Sequence, residues 1–329
     1  MTAGDALREG ARILGAARDA EGEGSETPFL DASLLLADIL GMDRARLLAS
    51  GPDELGPEAE ARYRAALAER ASGRPVAYIL GRKEFYGRSF LVDERVLVPR
   101  PDTELLVEAA LAAGDELAVG RGAVAGAELA RGGAAGRAAS GGRGEGAAAA
   151  GSGPGGLRVH EACVGSGCVA ISLCLERPAW EVSASDISKE ALAAAARNAA
   201  ALVPEDRPGG PLRLLESDLL SGVQGPFDIV VANPPYVPTR ETDRLLGKGW
   251  GEPRLALDGG EDGLDPYRRL VPEAAARLSP GGVLLLEAGE EQAAELRALL
   301  EAAGFEAVRT LEDLAGRPRV TEGRKPWKS

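Results

Sequence analysis

The chain has 329 residues, enough for one large domain or two ordinary ones with a substantial core. Lys and Arg number 38 against 51 Asp and Glu, and the resulting net charge of -13 argues against a surface built to hold nucleic acid through its phosphates. Cys163, Cys168 and Cys174 lie too close together to link distant segments by disulfides, and with only His160 beside them their spacing is no zinc signature; no metal site is expected.

The opening stretch, MTAGDALREGARILGAARDAEGEG, has charges where a signal peptide needs an apolar run. No 18-residue apolar stretch occurs anywhere, so the expectation is a soluble, cytoplasmic protein with no membrane partner. Residues 1 to 72 show helical periodicity: Leu7, Ala11 and Leu14 share one face, and LDASLLLADILG places Leu34, Leu35, Asp38 and Ile39 on successive turns before a stop at Gly41. A further helix is expected from near Pro57 to near Gly73. Residues 73–113 read as a β-hairpin linker and a helix, with VAYILG, EFYGRSFLV and VLVPRP expected to be extended. Residues 114–156 are mostly Gly and Ala with almost no large apolar side chain. Such a segment cannot offset its ordering entropy by burial, and the expectation is a disordered insertion, with an Ala-driven helix through part of it as the alternative.

From 157 to 329 short apolar strands alternate with helices: LRVHEACV, VAISLCLE, EVSASD, SKEALAAAARNAAAL, LRLLESD, FDIVVA, a helix around 265 to 278, GGVLLLEAG and EEQAAELRALLEAAG. This order predicts a doubly wound parallel α/β sheet covered on both faces, and the tail FEAVRTLEDLAGRPRVTEG predicts a final antiparallel pair of strands.

LRVHEACV runs into GSGCVA, a G-x-G-x-x-A loop with Gly165, Gly167 and Ala170, and Asp186 follows at the end of the next strand. Glycines let a ligand approach the backbone and a carboxylate accepts ribose hydroxyl protons, which suits any adenosine-containing ligand as well as a plain tight turn. Glu161, at the tip of the first strand, would repel a pyrophosphate and favour a cationic sulfonium or ammonium, which points to S-adenosylmethionine. Asp218 is placed to accept from an adenine amino group, with Leu219 and Leu220 to pack on its ring.

The strand FDIVVA ends in NPPY, at the sheet edge where open α/β sheets bind ligands. Asn and Pro are ordinary turn residues, yet this tetrapeptide arises by chance in roughly one such chain in a thousand. Its chemistry suits methyl transfer to a planar nitrogen, whose lone pair is delocalised. The Asn233 side-chain oxygen and the Pro234 carbonyl can each accept one N–H, turning the lone pair toward the methyl and stabilising the positive charge that develops. Pro234 and Pro235 hold those acceptors rigid, and Tyr236 can wall the planar group. No general base is required.

On these residues the chain resembles the release factor N5-glutamine methyltransferases (PrmC/HemK family). The resemblance covers nearly everything outside the Gly/Ala segment, through DASLLLADILG, GRPVAYILGRKEFYGRSFLV, VLVPRPDTELL, VGSG, SASDIS, ESDLL, NPPYVP, EPRLALDGGEDGLDPYRRL, LSPGGVLLLEAGEEQ and DLAGRPRV. It implies a class I S-adenosylmethionine-dependent methyltransferase, a Rossmann-like doubly wound sheet with a C-terminal antiparallel strand pair, plus a small N-terminal helical domain that docks the protein substrate. It also implies methylation of the glutamine in the GGQ loop of bacterial peptide chain release factors, with no direct nucleic-acid binding. Asn233, Pro234, Pro235 and Tyr236 match the family's substrate motif, and Cys163, Val164, Gly165, Ser166, Gly167, Asp186, Leu219 and Asn233 would line the cofactor site. Arg100 and Glu104 match a linker motif beside the active site. The first motif departs from the family's usual D-L-G-T-G-S-G, reading EACVGSG here. A side chain at Cys163 would crowd the methionine end of the cofactor unless that residue keeps a negative φ.

Three rivals share parts of this pattern. A ribosomal-protein glutamine methyltransferase shares the linker and NPPY. A DNA adenine N6-methyltransferase meets the same chemical problem but needs a basic channel for its duplex, against which the net charge weighs. An NAD-dependent dehydrogenase explains the glycine loop and Asp186 but leaves NPPY and Glu161 without a role.

Overall fold

Thr2 sets the first helix, Ala3–Ala16 (α1), by accepting the Asp5 amide on its hydroxyl at 3.1 Å, which satisfies one of the N–H groups a helix start leaves unpaired. The computed structural model describes residues 1–17, 27–132 and 156–327, with 121–132 as helical backbone only. They group into two units: Met1–Val98 with Pro238–Asp258, and Pro99–Val237 with Gly259 onward.

In the first unit α1 is followed by Pro28–Leu40 (α2), Arg44–Ala49 (α3), Pro57–Ala71 (α4) and Val76–Leu80 (α5). Gly41 ends α2 in the left-handed conformation at φ 63° and its N–H reaches Asp38 O, as the glycine stop predicts. Leu7, Leu14, Leu35, Leu36, Leu47, Tyr63 and Leu67 form the core, with Leu36 rather than Leu34 facing inward. VAYILG is not extended: Pro75 precedes and Gly81, at φ 70°, ends the single helical turn-and-a-half of α5. The hairpin follows as Arg82–Phe85 (β1) and Arg88–Leu91 (β2), joined by Tyr86 and Gly87, both at positive φ, the geometry a two-residue hairpin turn needs. The helix Thr239–Gly247 (α9 in chain order) and the loop after it belong to this unit. There Glu252, 3% exposed, accepts the Val98 amide and the Trp250 indole N–H, each at 2.8 Å.

The second unit begins with a 3-10 turn, Pro101–Thr103, and a long helix, Glu104–Gly132 (α6). Helix therefore runs well into the segment expected to lack structure. Once tertiary packing nucleates α6, alanine propagates it at little cost, and the helix covers residues 114–132 of that segment. Residues 133–155 of that expected insertion lie outside the described residues. Then come Arg158–Ala162 (β3), Cys168–Glu176 (α7), Glu181–Asp186 (β4), Lys189–Leu202 (α8), Arg213–Glu216 (β5), Phe227–Ala232 (β6), Asp265–Arg277 (α10), Leu278–Glu287 (β7), Ala293–Ala302 (α11), Glu306–Glu312 (β8) and Pro318–Arg324 (β9). The sheet order is β5-β4-β3-β6-β7-β9-β8. The first five strands run parallel, while β9 is antiparallel to β7 and to β8. β6 is buried along its whole length, which is why FDIVVA reads as an unbroken apolar run rather than an alternating one. Among the described residues no helix is long and apolar enough to cross a membrane.

Candidate active site

The chain steps outward from β3 to β4 and β5, then returns to the other side of β3 with β6, so the carboxyl ends of β3 and β6 flank the switch point where open α/β sheets bind ligands. Register fixes what meets there. Ala162 pairs with Ala232, and Ala232 with Leu286, so Cys163, Asn233 and Glu287 leave the sheet side by side on adjacent strands.

The glycine loop is tied to β4. Val164 N donates to Ser185 O at 2.9 Å, Gly165 N to the Asp186 carboxylate at 3.0 Å, and the Asn198 amide to Ser166 O at 2.9 Å. Gly165 and Gly167 take φ values of 51° and 82°, and a Cβ at Gly165 would meet no atom within 4 Å, so the loop presents open space on that side. Asp186 also accepts the Ser188 amide at 2.9 Å; burial raises its pKa while the Gly165 hydrogen bond pulls the other way.

Glu161 lies beneath this loop. It is 2% exposed, and its carboxylate accepts the Ala170 amide at 2.7 Å, satisfying an N–H in the first turn of α7. Burial, opposed by that bond, pushes its pKa well above the usual carboxylate range. Glu161 thus anchors the helix start, where the sequence suggested contact with a cationic ligand. Cys163 adopts φ 61°, so the negative φ that would spare the cofactor is not what the residue has. Its thiol packs against the core cluster beneath β6 and β7. All three cysteines are free thiols, and among the described residues no cluster of His, Cys, Asp and Glu could hold a metal ion.

At the end of β5, Asp218 pairs with Arg269 of α10 at 2.5 Å, and Leu219 takes φ 52° with its carbonyl accepting the Ser185 hydroxyl at 3.1 Å. Behind them sits His160, fully buried, with Nδ1 2.9 Å from Ser183 Oγ and Nε2 3.0 Å from Ser185 Oγ, its ring tilted against Phe227. Burial, with the Arg277 charge adding, drives this imidazole down to about 3, so it is neutral. A single histidine in an apolar strand gave no sign of the chain it forms through Ser185 to Leu219.

In NPPY, the Asn233 side-chain nitrogen donates to the Thr103 hydroxyl at 3.2 Å, and that hydroxyl donates to Glu287 Oε1 at 3.0 Å. Pro234 is buried and Pro235 partly so. Tyr236 is held by its backbone: its carbonyl accepts the Gln292 side-chain amide at 3.1 Å, and Gln292 also reaches Gly263 O at 3.3 Å. Two glycines of the DGGEDG stretch press against the same loop. A Cβ at Gly263 would lie 2.2 Å from Tyr236 O, and one at Gly259 2.8 Å from Pro235 O. Burial, with the Glu287 charge adding, pushes the Tyr236 phenol up to about 12. The Arg100 charge acts on that phenol, whereas Glu104 is the first residue of α6. Between them in sequence lie Asp102 and Thr103, which bond to Arg319 and to Glu287 and Asn233. Arg319 of β9 pairs with Asp102 at 2.9 Å and with Asp313 at 3.2 Å. The VPRPDTE, LLLEAGEEQ and DLAGRPRV stretches singled out by resemblance are therefore neighbours in space, but nothing local in them marked Thr103, Glu287, Gln292 or Arg319.

The mostly parallel sheet with its reversed last pair, the glycine loop answered by an acid on the next strand, and an Asn-Pro-Pro-Tyr edge together define a class I S-adenosylmethionine-dependent methyltransferase fold. Residues 5–81 match the PrmC N-terminal domain and residues 157–248 the methyltransferase small domain. A release factor glutamine methyltransferase of Cereibacter sphaeroides is 39% identical over 99% of both chains. One of Burkholderia pseudomallei is 40% identical over 90% of this chain and 92% of its own, and one of Moorella thermoacetica 38% over 97% of each. This chain belongs to the release factor glutamine methyltransferase family. A solved ribosomal protein L11 methylase of Lactobacillus delbrueckii subsp. bulgaricus overlays 51% of this chain and 70% of its own at 24% identity and a TM-score of 0.37, a likeness too loose to add to the argument.

Proposed function

We propose that this chain transfers a methyl group from S-adenosylmethionine to the side-chain amide nitrogen of a glutamine in a peptide chain release factor, the glutamine of its GGQ loop. The observation that carries the reading is the state of Asn233: its nitrogen is committed to Thr103, so its oxygen is the atom left to meet a substrate NH2 at the switch point. An amide acceptor needs two aimed oxygens rather than a base, and the buried Pro234 supplies the second through its carbonyl. The clamp from Gln292 and the close glycines Gly259 and Gly263 keep that loop from relaxing as charge develops.

The residues at the other side of the switch point fit S-adenosylmethionine, with backbone N–H groups and open space at the glycine loop, the Asp186 carboxylate for ribose hydroxyls, and Asp218 and Leu219 for the adenine. When bound, it supplies a methyl carbon made electrophilic by a positively charged sulfur. Asn233 and Pro234 accept the two N–H bonds, hold the nitrogen lone pair toward that carbon, and stabilise the N–H protons as they become acidic; one is then lost to water. In this reading the helices of residues 1–72 offer a docking surface to the protein substrate, and the work belongs to the cytoplasm, where release factors act.

The test is transfer of label from S-adenosylmethionine to a purified release factor. Label is expected on the wild-type factor and not on one carrying Gln→Ala in the GGQ loop; label on both, or on DNA, would overturn the assignment. Asn233→Ala is expected to lower kcat about 100-fold while changing cofactor affinity only a few-fold, because its acceptor acts mainly in the transition state.

A further inference from the structure

An asparagine amide has two nearly isosteric faces, and only one of them serves a methyl acceptor. Presented with its oxygen outward, Asn233 accepts a substrate N–H; presented with its nitrogen outward, it opposes donor to donor. The rotation is decided behind the residue, by what Thr103 offers.

We propose that Glu287 and Thr103 form a positioning relay that locks the Asn233 amide with its oxygen toward the substrate nitrogen. The inference rests on the methyl-transfer reading above and extends it to residues that do not touch the substrate. A carboxylate only accepts, so the single Thr103 proton goes to Glu287 Oε1 at 3.0 Å. The Thr103 oxygen then has lone pairs alone to show on its other side, and the partner it selects is the Asn233 NH2 at 3.2 Å. With the nitrogen turned inward, Oδ1 faces out.

The surroundings favour this assignment over a merely structural ion. Glu287 is 2% exposed at the end of β7; its Oε2 makes no close hydrogen bond, although the Asn233 side chain lies near enough to act on the carboxyl directly as well as through Thr103. A buried carboxylate half left unpaired is costly, and such groups persist where they have a task. Among the described residues no cation bonds directly to Glu287: Arg319, a positive charge that acts on it, is spent on Asp102 and Asp313 and so steadies the 101–103 turn that carries Thr103. The relay also draws electron density toward Asn233 Oδ1, which strengthens it as an acceptor when the substrate nitrogen turns cationic.

Three variants test the relay in the full-length protein with a release factor as substrate. Glu287→Gln can donate to Thr103 and so frees the amide to flip; kcat at pH 8 is expected to fall about 10- to 100-fold, with KM for the release factor and calorimetric affinity for S-adenosylmethionine each held within about twofold. Thr103→Val should match it, and Thr103→Ser, which keeps the hydroxyl, should recover most of the rate. A second readout needs no turnover. In the free protein the Asn233 side-chain amide resonances, identified by their loss in Asn233→Ala, should shift through the ionisation of Glu287 near pH 7 and stop doing so in Glu287→Gln. The other titratable or charged groups acting on Glu287 are Asp102, Arg319, Tyr236, Tyr267 and Cys168, and burial raises the pKa of both tyrosines and of the cysteine above their ordinary values, away from this range. Wild-type turnover in Glu287→Gln, or equal damage from Ser and Val at 103, would overturn the relay alone. A wild-type protein that leaves the release factor unlabelled, with the Asn233 resonances still following Glu287, would overturn the substrate assignment and leave the relay standing as geometry.

Discussion

Cys163 shows how a single departure from a pattern is absorbed. At φ 61° it occupies a conformation that suits glycine, and holding an L-residue there costs about 1 kcal/mol. Its thiol recovers a comparable amount by packing against the β6–β7 core cluster, and burial pushes its pKa up, so it behaves as a small apolar side chain and not as a nucleophile. Cys163→Gly should therefore change unfolding free energy by no more than about 1 kcal/mol, since relief of strain offsets lost packing and added chain entropy. Cys163→Val should cost about 2 kcal/mol or more, because a β-branched residue fits poorly at positive φ. Urea unfolding of the pair decides it, and equal effects would mean φ is not the constraint. Spacing and chemistry alone single out Asn233, Pro234, Asp186 and the two glycines as candidate site residues, and the fold brings them to the strand ends around one switch point. Thr103 and Glu287 were not legible, because a hydrogen bond between residues this far apart in the chain leaves no local trace; only folding the strands into register reveals it.

Elements were legible to the degree that burial stamps an unbroken run or a regular period on the sequence. EVSASD and FDIVVA match β4 and β6 residue for residue, since a buried parallel strand bounded by polar turn residues has few competing readings. VAYILG misled because a short apolar run suits a strand or a helical turn equally, and its flanking Pro75 and Gly81 settle the matter only once the backbone is seen. The long helix α6 misled differently. Its glycines argue against a helix by propensity, yet Gly114 is there because nothing larger fits: a Cβ would fall 2.2 Å from the Trp180 indole, itself 4% exposed between α7 and β4. Tertiary contact overrides propensity at that position. Gly114→Ala is predicted to destabilise the protein by about 1 to 3 kcal/mol despite alanine's better helix propensity, because the indole must shift in a close-packed interior. A thermal melt showing Gly114→Ala as stable as wild type, or more so, would place Trp180 in a looser setting than the structure shows.

At the scale of the whole molecule, composition foresaw a helical N-terminal part and an α/β part but placed their boundary by local pattern, near residue 72. In the structure the first unit takes in the hairpin and recruits 238–258 from far along the chain, where Glu252 closes on Val98. No sliding window can see such a return. The buried titratable groups act on the stability of the whole, and they act in opposite senses. His160 is depressed from 6.5 to about 3, so its contribution is intact above pH 6.5 and is lost as pH falls toward 3, amounting to about 2 kcal/mol by pH 5. Glu287 is raised from 4.5 to about 7, so its contribution is intact below pH 4.5 and is lost as pH rises through 7, about 3 kcal/mol by neutrality; Glu161, raised as well, leans the same way. Stability should consequently be greatest on the slightly acidic side of neutrality. The ionised Glu287 that the relay requires is the form that folding disfavours. Glu287→Gln should then show the two effects with opposite signs: its stability relative to wild type should climb as pH is raised from 5 to 8, while its turnover relative to wild type falls over the same range. Paired denaturation and label-transfer profiles at matched pH test this directly. Parallel slopes in the two measurements would mean that Glu287 supports the fold and activity through one and the same protonation state.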